Sequence, residues 1–296
     1  MQILAGATTL EVEVDGPDQG EPLLLIMGLG MQLIAWPEGL VEQLVGRGFR
    51  VIRFDNRDAG RSQRFGTLNT PHPMWQGLRY ALHMPLQAPY TLSDMADDAR
   101  ALLDALDIRA AHVCGASMGG MIAQHLAACA PARVKSLTLM MSSSGARSLP
   151  GPKAAARLAF LGRPVTPTPE AMLAHYLRLF QAIGSPAYPT PEATLRATIL
   201  RGLQRGGLDA GAGVARQLAA IGADGDRTPM LASLTTPTQV IHGQSDPLLP
   251  LAHGRQLAQA IRHARLEAVP GMGHDLPAPL WPLFADCIES ASRRAA

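Results

Sequence analysis

The sequence predicts an α/β protein built on a mostly parallel sheet of about eight strands, with a helical cap inserted into it. Three observations support this prediction. Strand-like and helix-like segments alternate in the first third of the chain, strand-like runs return in its last quarter, and a long stretch before that return has no strand pattern. Parallel strands need a crossover connection, usually a helix, so such alternation is typical of a helix-covered parallel sheet.

The first strands are predicted from the spacing of apolar residues. Residues 8–14 alternate apolar and polar side chains, as an edge or antiparallel strand does. Residues 23–27 and 51–54 are short apolar runs bounded by glycine or charge, and residues 40–45 between them have helical spacing. These three segments therefore predict a βαβ unit.

A second helix and strand pair follows later in the chain. Residues 92–106 carry apolar side chains at helical intervals, with Thr91 or Ser93 as the N-cap, and lead to a strand that ends at Cys114. Further strand-like runs cover residues 134–141, 239–242 and 265–269.

Two segments interrupt this pattern. Prolines and glycines separate helical stretches at residues 171–182 and 192–203, and no strand pattern surrounds them. We therefore expect a core made of residues 1–143 and 230–296, with residues 144–229 forming the inserted helical cap.

The other interruption, residues 63–90, is rich in proline and methionine and contains Trp75 and Tyr80. It predicts either a lid-like loop beside the site or a packed surface loop, and both interpretations remain open.

Composition narrows the classes of protein to consider. The chain has 296 residues, of which 47% are hydrophobic and 17% charged, so a large folded core is expected and disorder is not. The net charge is +2 without blocks of like charge, which argues against nucleic-acid and membrane-surface partners. Without a signal-like start or a membrane-length apolar run, we expect a soluble, cytoplasmic protein. The three cysteines lack metal-ligand spacing and are expected to be buried, reduced thiols.

Ser117 is the candidate nucleophile. It lies in the pattern Gly115-Ala-Ser117-Met-Gly119, between a strand-like run and a helix-like stretch. A sharp strand-to-helix turn needs glycine on both sides of the serine, because a Cβ would not fit there. The turn would expose the hydroxyl and direct the N-terminus of the following helix at the place where an oxyanion develops.

A serine hydroxyl needs a base and a group that orients the base. Among nine histidines, His274 lies in a glycine-rich turn directly after the last strand-like run, where a base could reach Ser117. Asp246 follows the penultimate strand and precedes His274, which gives the order Ser, Asp, His. The loop after residues 134–141 offers three serines and no acid, and Asp275 is expected to face solvent.

The oxyanion would be bound by two backbone N–H groups, those of Met118 and Leu29. Leu29 lies in the loop Met27-Gly28-Leu29-Gly30, whose glycines allow close approach to a substrate. A dinucleotide-binding interpretation of this loop fails because position 33 is leucine, so no nucleotide cofactor is expected. Nor does the chain contain a His-x-x-x-His or Cys-x-x-Cys metal pattern.

Five dispersed motifs agree in order with one superfamily. They are Met27-Gly28-Leu29-Gly30, the turn at residues 55–62 (DNRDAGRS), Gly115-Ala-Ser117-Met-Gly119-Gly120, Gly243-Gln-Ser-Asp246, and Gly271-Met-Gly-His274. Together they resemble the α/β-hydrolases over nearly the whole chain. The resemblance implies the α/β-hydrolase fold and a catalytic triad of Ser117, Asp246 and His274.

Within that superfamily, Trp36-Pro37, the Met-Gly start of the oxyanion loop and the Asp-Asn-Arg-Asp turn resemble the bacterial esterases that include the aclacinomycin methylesterases. Most superfamily members have His-Gly where this chain has Met27-Gly28. The turn at residues 55–62 is expected to brace neighbouring loops. Serine at position 117 argues against the branches with an aspartate nucleophile, the haloalkane dehalogenases and epoxide hydrolases.

We therefore expect a serine carboxylesterase that acts on small to medium, largely apolar esters through an acyl-enzyme. Gly28, Trp36 and Trp75 are candidate pocket residues, and the cap would set substrate size. Two alternatives stay open: a cofactor-free perhydrolase or carbon–carbon bond hydrolase with the same triad, and a slow-turnover ligand-binding receptor. The expected partner is a small-molecule ester; a homodimer remains open.

Overall fold

Eight strands form one sheet in the residues that the computed structural model describes, namely 1–68, 75, 78–79, 82, 84, 86–162, 164, 166–206 and 211–295. In chain order the strands are β1 (Gln2–Ala5), β2 (Thr8–Asp15), β3 (Glu21–Ile26), β4 (Phe49–Phe54), β5 (Ala111–Ala116), β6 (Val134–Met140), β7 (Thr238–Gly243) and β8 (Arg265–Val269). Their order in the sheet is β1-β2-β4-β3-β5-β6-β7-β8.

The sheet is mostly parallel, as predicted. The pairings of β3 with β4 and with β5, and those along β5, β6, β7 and β8, are parallel, whereas β2 pairs antiparallel with β1 and β4. The antiparallel strand predicted for residues 8–14 is confirmed. Strand β1 was not predicted, because four residues are too few to show an alternating pattern.

Helices connect and cover the strands. They are α1 (Glu38–Gly46), α2 (Leu92–Ala105), α3 (Met118–Cys129), α4 (Ala154–Leu161), α5 (Pro169–Ile183), α6 (Glu192–Gly206), α7 (Gly211–Asp224), α8 (Thr228–Leu231), α9 (Ala252–Ala260) and α10 (Trp281–Arg293). Thr91 caps α2, its side chain accepting a hydrogen bond from the Asp94 N–H. None of the described helices is both long and apolar enough to cross a membrane.

The core lies on both faces of the sheet, as strand β3 shows. Leu24 and Ile26 belong to a buried cluster with side chains from α2 and α3, and Leu23 and Leu25 to a second cluster with side chains from α1 and α10. Successive side chains of a strand point to opposite faces, so a strand covered on both sides reads as a continuous apolar run.

The chain between β6 and β7 forms helices α4 to α8 and, among its described residues, no strand. This helical insertion agrees with the predicted fold class. We call residues 144–229 the cap, with the bounds that the sequence predicts. Most of the predicted lid-like segment between residues 69 and 85, including Tyr80, lies outside the described residues.

The cysteine prediction needs a correction. All three thiols are free, and Cys114 is buried, but Cys129 is exposed at the end of α3 and Cys287 is only half-buried. Cys129 lies in the last turn of its helix, beyond the part that packs against the sheet.

Candidate active site

Ser117 lies in the turn between β5 and α3, with φ of 55° and ψ of −118°. A positive φ is uncommon for a residue with a Cβ, and such strained conformations occur where the surroundings hold them. The surroundings are tight here. A Cβ added to Gly115 would overlap the Gly119 carbonyl, and one added to Gly119 would overlap the carbonyl of Ile26 in β3. The two glycines therefore allow α3 to turn directly out of the sheet.

The structure brings Ser117, His274 and Asp246 into one chain of hydrogen bonds. His274 Nε2 lies 3.0 Å from Ser117 Oγ, and His274 Nδ1 lies 2.7 Å from Asp246 Oδ2. Asp246 follows β7 and His274 follows β8, so all three come from loops at the carboxyl ends of parallel strands. This geometry lets the imidazole accept the serine proton while the carboxylate orients the ring.

Asp246 is held in its ionised form. It is 1% exposed, and its Oδ1 accepts the backbone N–H groups of Leu248 and Leu249, each at 2.8 Å. Burial opposes ionisation, but the charge and hydrogen bond of His274 and the Leu249 N–H outweigh it, so the Asp246 pKa lies below its usual value. Asp246 therefore presents a fixed negative charge to the imidazole.

Three other histidines have hydrogen-bond partners away from Ser117. His112 Nδ1 lies 2.8 Å from Ser136 Oγ, and His125 Nε2 lies 2.8 Å from Asp224 Oδ1. His242 is buried behind Asp246, where its Nε2 donates to the Leu249 carbonyl at 2.7 Å; burial lowers the pKa of His242.

The loop after β3 places its backbone against Ser117. A Cβ built on Gly28 would lie 3.2 Å from Ser117 Cβ. The Asn56 side chain donates to the Met27 carbonyl at 2.9 Å and so holds the start of this loop. Met118 is the first residue of α3, where backbone N–H groups have no partner within the helix. Leu29 and Met118 thus lie on the two segments that adjoin the serine.

Of the predicted pocket residues, Trp36 is placed differently from the prediction, whereas the role predicted for Trp75 stays a prediction. Trp36 is completely buried and packs with Leu40 and Phe284 in the cluster beneath α1 and α10, so it belongs to the core and has no face toward open solvent. Trp75 is 65% exposed, and its sequence neighbours lie outside the described residues. The third candidate, Gly28, lies beside Ser117.

Asp275 also departs from expectation. It is half-buried, and its carboxylate accepts hydrogen bonds from the N–H and the hydroxyl of Ser185, the former at 3.2 Å. Burial raises the Asp275 pKa. Ser185 follows helix α5 in the cap, and sequence reasoning had no means of finding a partner 90 positions away.

The turn at residues 55–62 braces its neighbours, as predicted. Asp55 accepts the Leu33 N–H at 2.7 Å and pairs with Arg205 of α6 at 2.5 Å. Asp58 pairs with Arg216 of α7, with Nη2 to Oδ1 at 2.6 Å and Nε to Oδ2 at 2.8 Å. Both carboxylates are completely or almost completely buried, so the turn connects the chain that follows β3 to the cap.

Fold and site together define an α/β-hydrolase. The chain belongs to this family: the family model for the alpha/beta hydrolase fold matches residues 21–277. Rhodomycin D methylesterases of Streptomyces sp. (strain C5) and Streptomyces peucetius are each 33% identical to it, over 97% of this chain and 96% of theirs. The crystal structure of an enol-lactonase from Burkholderia xenovorans is similar with a TM-score of 0.75 and 25% identity, covering 98% of this chain and 99% of that one.

These relatives support hydrolase activity for this chain. Two of them are methylesterases and the third is an enol-lactonase, so each is named for cleavage of an ester bond. The motifs at residues 27–30 and 55–62 predicted a resemblance to the methylesterase branch, and these two relatives confirm it. Among the described residues, no group of three or more histidine, cysteine, aspartate or glutamate side chains is arranged to hold a metal ion.

Proposed function

We propose that this protein is a serine carboxylic-ester hydrolase that acts on small to medium, largely apolar esters. The observation that carries the proposal is the continuous hydrogen-bonded chain from Ser117 through His274 to Asp246. A nucleophile, a base and a buried carboxylate in this order form a catalytic triad of the kind that transfers acyl groups to serine.

The proposed reaction has two halves. Ser117 Oγ attacks the ester carbonyl while His274 Nε2 takes the hydroxyl proton, and Asp246 stabilises the charge on the ring through Nδ1–H. The oxyanion accepts hydrogen bonds from the N–H groups of Leu29 and Met118. His274 then gives the proton to the leaving alcohol, which leaves an acyl group on Ser117. Water, activated by His274, releases the acid and regenerates the hydroxyl.

The similarity to methylesterases favours an ester with a small alcohol part. An alcohol as small as methanol leaves substrate selection to the acyl part, which the cap helices would enclose. A methyl ester of a hydrophobic acid is therefore the substrate class that we expect this site to cleave best.

Steady-state hydrolysis of p-nitrophenyl esters from acetate to dodecanoate, and of methyl esters of the same acids, tests the proposal. Ser117→Ala should lower turnover by at least about 10⁴-fold, because no other group supplies the nucleophile. Ser233→Ala is the matched control, since Ser233 is exposed and its hydroxyl donates to the Met230 carbonyl of its own turn, away from the triad. Turnover that survives in Ser117→Ala would overturn the mechanism.

The same panel separates the alternatives. A wild-type protein inactive on every ester would favour the ligand-binding receptor, and saturable binding without multiple turnover would support it. Faster turnover with hydrogen peroxide as acceptor, or with a dienoic diketone, would indicate the perhydrolase or the carbon–carbon bond hydrolase.

A further inference from the structure

The oxyanion loop contains a tight turn at residues 28–31. The Met31 N–H donates to the Gly28 carbonyl at 3.2 Å, and Gly30 has φ of 67°. A glycine with positive φ at the third position is typical of a type II turn. The carbonyl and N–H of a trans peptide point in opposite directions. Because the Gly28 carbonyl points into the turn, the N–H of Leu29 points away from it, free to meet an oxyanion.

Gln217 of α7 binds this turn from the cap. Its side-chain oxygen accepts the Gly30 N–H at 2.8 Å, and its amide nitrogen donates to the Arg57 carbonyl at 2.7 Å. Gln217 is completely buried, so both ends of its amide are held without competing solvent. The Gly30 N–H is engaged in this bond, and the peptide between Leu29 and Gly30 is fixed in one orientation.

Helix α7 is itself anchored beside the loop. A Cβ on Gly30 would lie 2.8 Å from Val214 Cγ2, and one on Gly213 would overlap the Asp58 carbonyl. Arg216 forms the buried ion pair with Asp58, on the same helical turn. Gln217 therefore acts from a helix that cannot shift without breaking a buried charge pair.

We infer that Gln217 is a positioning residue: it holds the turn that carries the Leu29 N–H, the proposed donor to the oxyanion. A residue of the cap therefore contributes to catalysis. The inference rests on the proposed esterase function. A turn with two glycines has high conformational freedom, whereas oxyanion stabilisation requires donors that are already in place. Without the Gln217 bond, the turn at residues 28–31 is no longer held at Gly30, so the neighbouring Gly28–Leu29 peptide, which carries the Leu29 N–H, loses its alignment.

Gln217→Met tests this role, because methionine has a similar length and volume but forms neither hydrogen bond. We expect kcat to fall about 10- to 100-fold with KM within about twofold, since the lost interaction acts mainly in the transition state. Affinity for an alkyl trifluoromethyl ketone, whose adduct with Ser117 carries an oxyanion, should fall by the same factor. Rates are calculated per active site titrated with a fluorophosphonate, so unfolded molecules do not contribute.

Leu218→Met is the matched control on the same helix. Leu218 is 45% exposed, and its variant should keep wild-type kcat and inhibitor affinity. If Gln217→Met does not fold, Gln217→Asn is measured in its place. Asparagine keeps the amide but is one methylene too short to reach both Gly30 and Arg57, so we expect the same losses of kcat and inhibitor affinity.

Wild-type kcat and ketone affinity in the Gln217 variant would overturn the inference, as would a loss confined to KM. The Ser117→Ala measurement keeps this result separate from the proposed function. If activity depends on Ser117 but not on Gln217, only the positioning role fails; if it does not depend on Ser117, the esterase mechanism fails.

Discussion

Ser185 and Asp275 form a two-point hydrogen-bonded pair, in which the serine N–H and hydroxyl each donate to one oxygen of the carboxylate. The Ser185 hydroxyl oxygen also accepts the Gly273 N–H at 2.8 Å, and the His274 N–H donates to the Ile183 carbonyl at 2.7 Å. The backbone around the base is therefore fastened to the chain that follows α5. The cap contacts the candidate site on two sides, at the loop that carries His274 through Ser185 and at the turn of residues 28–31 through Gln217.

Ser185→Ala should loosen the loop that carries His274. The substitution removes the acceptor of the Gly273 N–H and one of the two donors to Asp275, so we expect kcat/KM to fall about tenfold through poorer alignment of His274. The free energy of unfolding should fall by about 1–3 kcal/mol, because a buried donor and a half-buried carboxylate each lose a partner. Ester kinetics and urea unfolding measure the two effects, with the exposed Ser233→Ala as control. Unchanged kinetics would show that the loop holds His274 without Ser185.

Asp246→Asn should lower kcat by about 10³–10⁴-fold with little loss of stability. An asparagine side-chain oxygen can still accept hydrogen bonds from the N–H groups of Leu248 and Leu249, but its nitrogen cannot accept the hydrogen bond that His274 Nδ1–H donates. The imidazole would then favour the wrong tautomer and lose charge stabilisation. Asp226→Asn is the control, since Asp226 is exposed and bonds Thr228 near α8. Wild-type kcat in Asp246→Asn would remove Asp246 from the mechanism.

Gly119→Ala should lower the free energy of unfolding by more than about 3 kcal/mol or prevent folding. Its Cβ would overlap the Ile26 carbonyl, and the backbone of a central strand cannot move aside. Gly46→Ala is the matched control, because no atom lies within 4 Å of its added Cβ in the last turn of α1. That variant should change stability by less than about 1 kcal/mol. Equal urea midpoints for the two variants would contradict the close approach of α3 to β3.

His112 should make the protein sensitive to acid. Burial and the nearby charge of Lys135 lower the pKa of His112 to about 4, with Glu21 opposing them. Between about pH 6.5 and pH 4 the unfolded chain therefore binds a proton that the folded protein does not, so stability falls as the pH drops through this window, by up to about 3 kcal/mol.

His112→Phe removes this titration and loses the hydrogen bond to Ser136. We expect it to be about 1 kcal/mol less stable at neutral pH but to lose less stability on acidification. Urea unfolding at pH 7 and pH 4.5 measures both quantities, and the exposed His263→Asn serves as control. A variant with the wild-type pH slope would show that other groups cause the acid sensitivity.

The sequence by itself determined seven of the eight strands, several of the helices, and the loops that carry Ser117, Asp246 and His274. Apolar periodicity and glycine turns involve only a few neighbouring residues, so they can be identified from the sequence without knowledge of the fold. Because parallel strands end at a common edge, the sequence also indicated that these loops could meet.

Only the tertiary structure decided which side chains hold the site together. Gly30 and Gln217 are 187 positions apart, and no local pattern relates a glycine turn to a glutamine in a cap helix. The same reason explains why Trp36 proved to be core and Asp275 a bound carboxylate, since burial depends on what packs from elsewhere in the chain. Contacts between residues so far apart in sequence depend on how the cap packs against the sheet, which the periodicity of the sequence does not show.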